Sequence, residues 1–167
     1  MTLEKAIKTA IDYEIRVRDA YLKGAGKISD PTGRRVFEVL GKEEQGHVDY
    51  LHAKLVEWQK NGKVKAEKLS TIVPAKQVID RGVRKLDAHM SPKDYGTELE
   101  MLRKALAMEI ETSGFYRKMV SELKVDGELF ARFLEIEEGH QAIVQAEIDY
   151  LTRSGTFFDF QEFTLED

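Results

Sequence analysis

The 167 residues carry a net charge of −4 and no cysteine. A weakly acidic chain gives no reason to expect a nucleic-acid partner, and the lack of thiols excludes disulfides, thiolate nucleophiles, iron–sulfur clusters and zinc–thiolate sites. With 42% apolar residues, 34% charged residues and three prolines, the composition suits one soluble domain of long amphipathic helices.

The N-terminal stretch MTLEKAIKTAIDYEIRVRDAY is charged throughout and lacks the apolar core of a signal peptide. No apolar run approaches the roughly 18 residues of a membrane span, so the cytoplasm is the expected compartment and no membrane partner is expected.

The first predicted helix covers about residues 2–27. Thr2 is placed to cap it, Leu3, Ile7, Ala10, Ile11, Val17 and Tyr21 form its apolar stripe, and Gly24 and Gly26 end it. The second covers about 31–61, opening at Asp30–Pro31 and carrying Val36, Phe37, Leu40, Val48, Leu51, Leu55 and Trp58. A long connection follows over about 62–91. Lys60, Lys63, Lys65 and Lys68 at its start, with Glu57 and Glu67 close by, read as a solvated turn. Val78, Ile79, Val83 and Leu86 allow a short helix within it. The third long helix covers about 92–123, after Ser91–Pro92, with Asp94 at capping-box spacing and a stripe through Leu99, Leu102, Leu106, Ile110 and Phe115. The fourth covers about 127–153, with Phe130, Phe133, Leu134, Val144 and Ile148, and ends at Gly155.

Short links join the first helix to the second and the third to the fourth, which makes antiparallel pairs. The long crossover can run the length of the molecule and leave the second and third helices parallel. The expected fold is all-α, a four-helix bundle with one crossover. The final stretch, residues 155–167, carries Phe157, Phe158, Phe160 and Phe163, too apolar for a free tail. It is expected to cap the end of the bundle or to dock on a partner subunit.

Two Glu-x-x-His steps carry the chemistry, Glu44–His47 and Glu137–His140, each preceded by a glutamate on an earlier helix, Glu14 and Glu109. Residues three apart on a helix point the same way, so each step offers a carboxylate and an imidazole to one point. The pattern repeats. Glu14…Tyr21 matches Glu109…Tyr116 at an offset of 95, and Phe37…Glu44-x-Gly46-His47 matches Phe130…Glu137-x-Gly139-His140 at an offset of 93. Two helix pairs related by a pseudo-twofold make a symmetric six-ligand cage. Four carboxylates on core-facing stripes are very costly unless cations compensate them, because each ion loses several kcal/mol of hydration. Two divalent cations balance four carboxylates with neutral histidines. A ligand set of oxygen and nitrogen suits iron or manganese, and zinc on affinity grounds; one Glu from each of two helices plus Glu-x-x-His from each of the others is the ligand pattern of ferritin-like di-metal bundles.

Tyr21 and Tyr116 are candidates for contact with the ligands, with ordinary core tyrosines as the alternative. Asp49-x-x-His52 copies the spacing but sits about 140° round the helix from His47, so both residues are expected at the surface, as is His89. Glu43, Glu111, Glu135 and Glu138 point away from the ligand stripe. A solvated role is expected for them, contact with a ligand histidine being the alternative.

At EIRVRDAY (14–21), KEEQGH (42–47), MEIETSGFY (108–116) and EIEEGH (135–140) the chain resembles the rubrerythrin-type branch of the ferritin-like superfamily over about residues 2–153. The resemblance implies two iron ions, with Glu44 and Glu137 bridging, Glu14 and Glu109 terminal, and His47 and His140 each on one metal. It implies reaction with hydrogen peroxide or dioxygen, re-reduction by an external electron-donor protein, and a homodimer or small homo-oligomer. Two departures stand out. There is no cysteine for the iron domain that rubrerythrins carry, and Thr112 stands where they have a further glutamate. The six ligands also resemble bacterioferritin, so iron oxidation and storage is the alternative function, although the stretch after Gly155 is short for a cage that uses a fifth helix. A metal-free helical interaction module is the third reading.

Overall fold

The computed structural model describes residues 1–67, 69–84 and 96–161, and the described residues are helical with no strand. Lys68, Leu86, His89, the Ser91–Pro92 start with Asp94, and Phe163 lie outside them. Helix α1 spans Leu3–Ala25, α2 Pro31–Asn61, α3 Lys76–Arg84, α4 Gly96–Leu123 and α5 Glu128–Ser154. A 3-10 turn, Lys124–Gly127, joins α4 to α5.

Local chemistry sets these limits. The Thr2 hydroxyl accepts from Lys5 N at 3.3 Å at the start of α1, and the Asp30 carboxylate accepts from Gly33 N at 2.8 Å at the start of α2, with Pro31 in the first turn. Each satisfies a backbone donor that the helix itself leaves unpaired. Gly155 closes α5 with φ 74°, a left-handed conformation that costs glycine little.

Side-chain contacts fix the directions. Gly41 on α2 packs against Tyr21 and Leu22 on α1, and Gly24 on α1 against Phe37 on α2, so these helices are antiparallel. A β-carbon on Gly24 would stand 2.6 Å from the buried Phe37 ring, so the close approach there depends on glycine. Tyr21 meets Glu109 and Tyr116 meets Glu14, which makes α4 antiparallel to α1 and therefore parallel to α2. Helix α5 runs antiparallel to both α2 and α4, placing His140 level with Glu44.

The apolar core falls into two clusters. One includes Val17, Tyr21, Phe37, Leu40, Leu102, Ala105, Ile143 and Val144. The other includes Ile7, Ile11, Leu51, Tyr116, Met119, Phe130 and Phe133. Between Ile11 and Val17, between Leu40 and Leu51, between Ala105 and Tyr116, and between Phe133 and Ile143 lie the buried acidic residues, so a polar layer divides the core. At the far end of the first cluster the C-terminal segment folds back, burying Phe157, Phe158 and Phe160. Phe157 lies against Gly33, where a β-carbon would stand 2.6 Å from its ring.

Residues 69–75 of the crossover form a strap over the seam between α2 and α5. Arg132 Nε on α5 donates to the Leu69 carbonyl at 3.0 Å. Thr71 Oγ1 donates to Glu43 on α2, and the Ile72 amide donates to the same carboxylate. Gly139 on α5 leaves room for the Pro74 carbonyl. No helix among the described residues is long and apolar enough to cross a membrane.

Candidate metal centre

The fold brings Glu14, Glu44, His47, Glu109, Glu137 and His140 together, five of them at 0% exposure and His47 at 2%. The ligand-type atoms of Glu14, Glu44, His47 and Glu137 lie within 4.8 Å of one another, as do those of Glu44, Glu109, Glu137 and His140. Two tetrads therefore share Glu44 and Glu137.

The sharing has a definite geometry. Glu44 turns Oε2 to His47 Nδ1 at 2.9 Å and Oε1 to His140 Nδ1 at 2.7 Å. Glu137 turns Oε1 to His47 Nδ1 at 3.0 Å and Oε2 to His140 Nδ1 at 3.5 Å. Glu14 approaches His47 alone, at 3.4 Å, and Glu109 approaches His140 alone, at 3.6 Å. The imidazoles stack with centroids 5.6 Å apart and planes 15° from parallel, and Phe133 packs edge-on to His47 at 5.4 Å.

Two phenols brace the carboxylates crosswise. Tyr21 on α1 donates to Glu109 Oε1 on α4, and Tyr116 on α4 donates to Glu14 Oε1 on α1. Of the two readings open for these tyrosines, contact with the site is the one observed.

The charges divide. Burial pushes Glu44 up to about 8, helped by the Glu14 charge. Burial and the charges of Glu14, Glu44 and Glu109 raise Glu137 well above the carboxylate range. Burial also works against ionised Glu14, but the His47 charge and bonds from Glu44, His47 and Tyr116 outweigh it and hold Glu14 at about 2. Glu109 is lowered against burial by the bond and charge of His140. Both imidazoles are raised despite burial, His47 chiefly by Glu44 and Glu14, His140 chiefly by Glu44 and Glu137. These shifts favour charged imidazoles beside ionised Glu14 and Glu109 and disfavour ionisation of Glu44 and Glu137, with ionised Glu43 behind His140.

That state leaves polar atoms stranded. Glu44 Oε2, Glu109 Oε2, both oxygens of Glu137 and His47 Nε2 are buried without a hydrogen bond. One Nδ1–H cannot serve several carboxyl groups at once: His140 Nδ1 is hydrogen-bonded to Glu44 Oε1 at 2.7 Å, and the remaining close approaches to Glu44 and Glu137 leave their oxygens unsatisfied. Buried polar atoms normally find partners. Oxygen and nitrogen lone pairs converging on two points fit divalent cations of the first transition series, so the cluster is a candidate metal site.

Glu43 departs from the solvated role its helix face suggests. It is mostly buried, its Oε2 lies 2.7 Å from His140 Nε2, and it also takes the strap's Thr71 hydroxyl and Ile72 amide. Burial opposes its charge, but those donors, His140 first, hold it at about 2. The corresponding position in the second half is Ile136, so His47 has no such partner. Glu111, Glu135 and Glu138 are exposed as expected, paired with Arg16, Arg132 and Arg117. Asp49 and His52 are exposed. Sequence reasoning missed Glu147, fully buried at the tail end of α5, where Oε2 accepts from Phe158 N at 3.2 Å and Oε1 has no partner. It also missed Lys54, buried and paired with Glu57 at 2.9 Å. Thr112 is buried with an unpartnered hydroxyl one turn beyond Glu109.

Comparison with protein-family models, with curated proteins and with solved structures returned no match.

Proposed function

We propose that this chain is a ferritin-like four-helix bundle with one long crossover that holds two iron ions, manganese being the closest substitute, and reacts with hydrogen peroxide or dioxygen as rubrerythrin-type proteins do. The observation that carries the reading is the sharing of Glu44 and Glu137. Each turns one oxygen to each histidine, whereas Glu14 and Glu109 each face one histidine. This division suits two bridging and two terminal carboxylates. Two divalent cations also replace the costly mixture of acids and imidazolium ions with a neutral layer whose lone pairs are all used.

When bound, a redox-active pair supplies two electrons for cleavage of the O–O bond. The chain's own groups do the rest. Glu43 accepts the His140 Nε2–H and so leaves Nδ1, on the carboxylate side, as the nitrogen that would bind a cation on losing its proton. Tyr21 and Tyr116 fix the rotamers of Glu109 and Glu14 and leave their second oxygens for the cations. The apolar clusters on either side exclude bulk water. These 167 residues hold no cysteine and so no thiolate-ligated iron, which leaves re-reduction to an electron donor outside them.

Rapid mixing of the reduced, iron-loaded protein with peroxide and with dioxygen tests this. Faster oxidation by peroxide supports the peroxide-reducing role. Faster oxidation by dioxygen, with iron accumulating beyond two per chain, supports storage instead.

A further inference from the structure

The candidate centre is sealed by helices, so ions need a way in. A cleft of about 330 Å³ opens between α2 and the strap, lined by Glu43, Gly46, His47, Tyr50, Leu69 and Ser70. It reaches the centre, because His47 is a candidate ligand and Glu43 is bonded to another. We propose that divalent cations reach the centre through this cleft, landing on Glu43 and His47 Nε2 before passing to the inner carboxylates. The proposal rests on the di-metal reading above.

Three observations converge on it. First, the ligand-type atoms of Glu43, His47 and His140 lie within 4.8 Å of one another, a third group that takes one histidine from each tetrad and adds Glu43. Second, His47 Nε2 is buried and has no partner, although the residue lines the cleft. An incoming cation meets a nitrogen whose hydrogen is bonded to nothing and can leave to solvent through the cleft. Third, the lining holds a carboxylate and no lysine or arginine. Of two larger clefts, one balances Lys76, Arg84 and Arg117 with Asp80, Glu138 and Asp149, and the other sets Arg103 and Arg153 against Asp149 alone, so neither offers a net negative lining.

Valence makes the landing point transient. A neutral imidazole has one lone pair and one N–H, so Nε2 releases its cation and takes up a proton when Nδ1 gives up its own to bind one. The landing point empties as the centre fills, and the saturated chain holds two ions, not three. The strap is tied to the same spot, since Glu43 binds both Thr71 and the Ile72 amide. A cation on Glu43 competes with these bonds and loosens the strap as it passes.

Gly46 provides the test. A β-carbon there meets nothing within 4 Å, and replacing a helical glycine raises helix propensity, so Gly46→Phe fills the cleft without straining α2. Metal-free full-length protein is mixed with cobalt(II), and uptake is followed by its visible absorption. Wild type should take up two cobalt ions per chain. Gly46→Phe should reach the same two at least about tenfold more slowly, a barrier increase of about 1.4 kcal/mol. Ser70→Phe, which narrows the cleft from the strap side, should also slow uptake and serves if Gly46→Phe misfolds. Gly114→Phe, an open helical position away from the cleft, should load at the wild-type rate. Wild-type rates in both cleft variants, or three ions at saturation, would overturn the loading route and leave the centre standing. No uptake by wild type would overturn the centre itself, and the route with it.

Discussion

The Tyr21 hydroxyl on α1 donates to Oε1 of Glu109 on α4, and both residues are fully buried. Tyr116 and Glu14 repeat the contact in reverse between the same helices. Seven residues separate glutamate from tyrosine on each helix, two turns along one stripe. In antiparallel neighbours that spacing sets each phenol level with the other's carboxylate. The pseudo-twofold inferred from the repeat thus has a physical form, a pair of crossed phenol–carboxylate bonds at the middle of the molecule.

These bonds stabilise the metal-free protein. A hydrogen bond to a buried charged group contributes about 2 kcal/mol, so Tyr21→Phe and Tyr116→Phe should each lower unfolding free energy by about that amount in urea titrations. Each variant should still bind two metal ions, because the phenols are not among the six ligands. Loss of metal with unchanged stability would show that the phenols act on the ions rather than on the fold.

Glu44 belongs to both tetrads and Asp49 to neither. Glu44→Ala should therefore lose at least one ion by metal analysis, while Asp49→Ala keeps both. Equal metal content in the two variants would refute the assignment of the inward face of α2.

The pH dependence differs between metal-free and metal-bound protein. Glu44 is raised from its ordinary 4.5 to about 8 by burial and then by Glu14. Its protonated form stabilises the metal-free fold below pH 4.5, and that contribution is lost as pH rises through 8. Glu14, lowered to about 2, acts in the opposite sense. Its contribution is present above 4.5 and lost as pH falls towards 2. From Glu44, metal-free protein should lose melting temperature as pH rises from 4.5 through about 8, and bound cations should restore it. Loading a pair of cations near pH 7 should release protons, because coordination favours neutral imidazoles and ionised carboxylates over the forms that the empty layer favours. Calorimetry in buffers of different ionisation enthalpy counts them, and a release of none would contradict the directions described for the empty layer.

Glu147 marks a second pH-sensitive point, under the C-terminal segment. Burial, then the charges of Asp159 and Asp30, raise it well above the carboxylate range, while the Phe158 amide opposes the shift. A raised carboxyl stabilises most at low pH and loses that effect as pH rises. Glu147→Gln keeps an acceptor for Phe158 N and cannot ionise. It should gain about 1 kcal/mol over wild type at alkaline pH and little at pH 5, read from thermal unfolding. Parallel pH profiles for the two proteins would contradict this.

The buried cluster of four glutamates and two histidines was legible because it obeys a local rule. Each Glu-x-x-His step lies on one helix face, and Glu14 and Glu109 lie on stripes that also carry Val17, Leu102 and Tyr116. The helix limits followed from Thr2, Asp30–Pro31, Gly62 and Gly155, whose capping chemistry is local. Glu43 and Glu147 were not legible, for a common reason. Glu43 stands 100° round α2 from Glu44, on a face that periodicity assigns to solvent, and it is buried by the strap from the crossover. Glu147 is buried by Phe157, Phe158 and Phe160, from a segment with no helical period. Both depend on where irregular chain returns to the helices, which periodicity does not encode. The difference between the two histidines was written in the repeat, where Glu43 aligns with Ile136, but only the contact with His140 gives that mismatch meaning.

The central claim is that two cations neutralise the acidic layer, and anomalous scattering at the iron edge from crystals of iron-loaded protein tests it most directly. The account predicts two peaks, one within reach of Glu14, Glu44, His47 and Glu137 and the other of Glu44, Glu109, Glu137 and His140. No peak in that layer, or a single ion bound elsewhere with the six side chains turned apart, would contradict it.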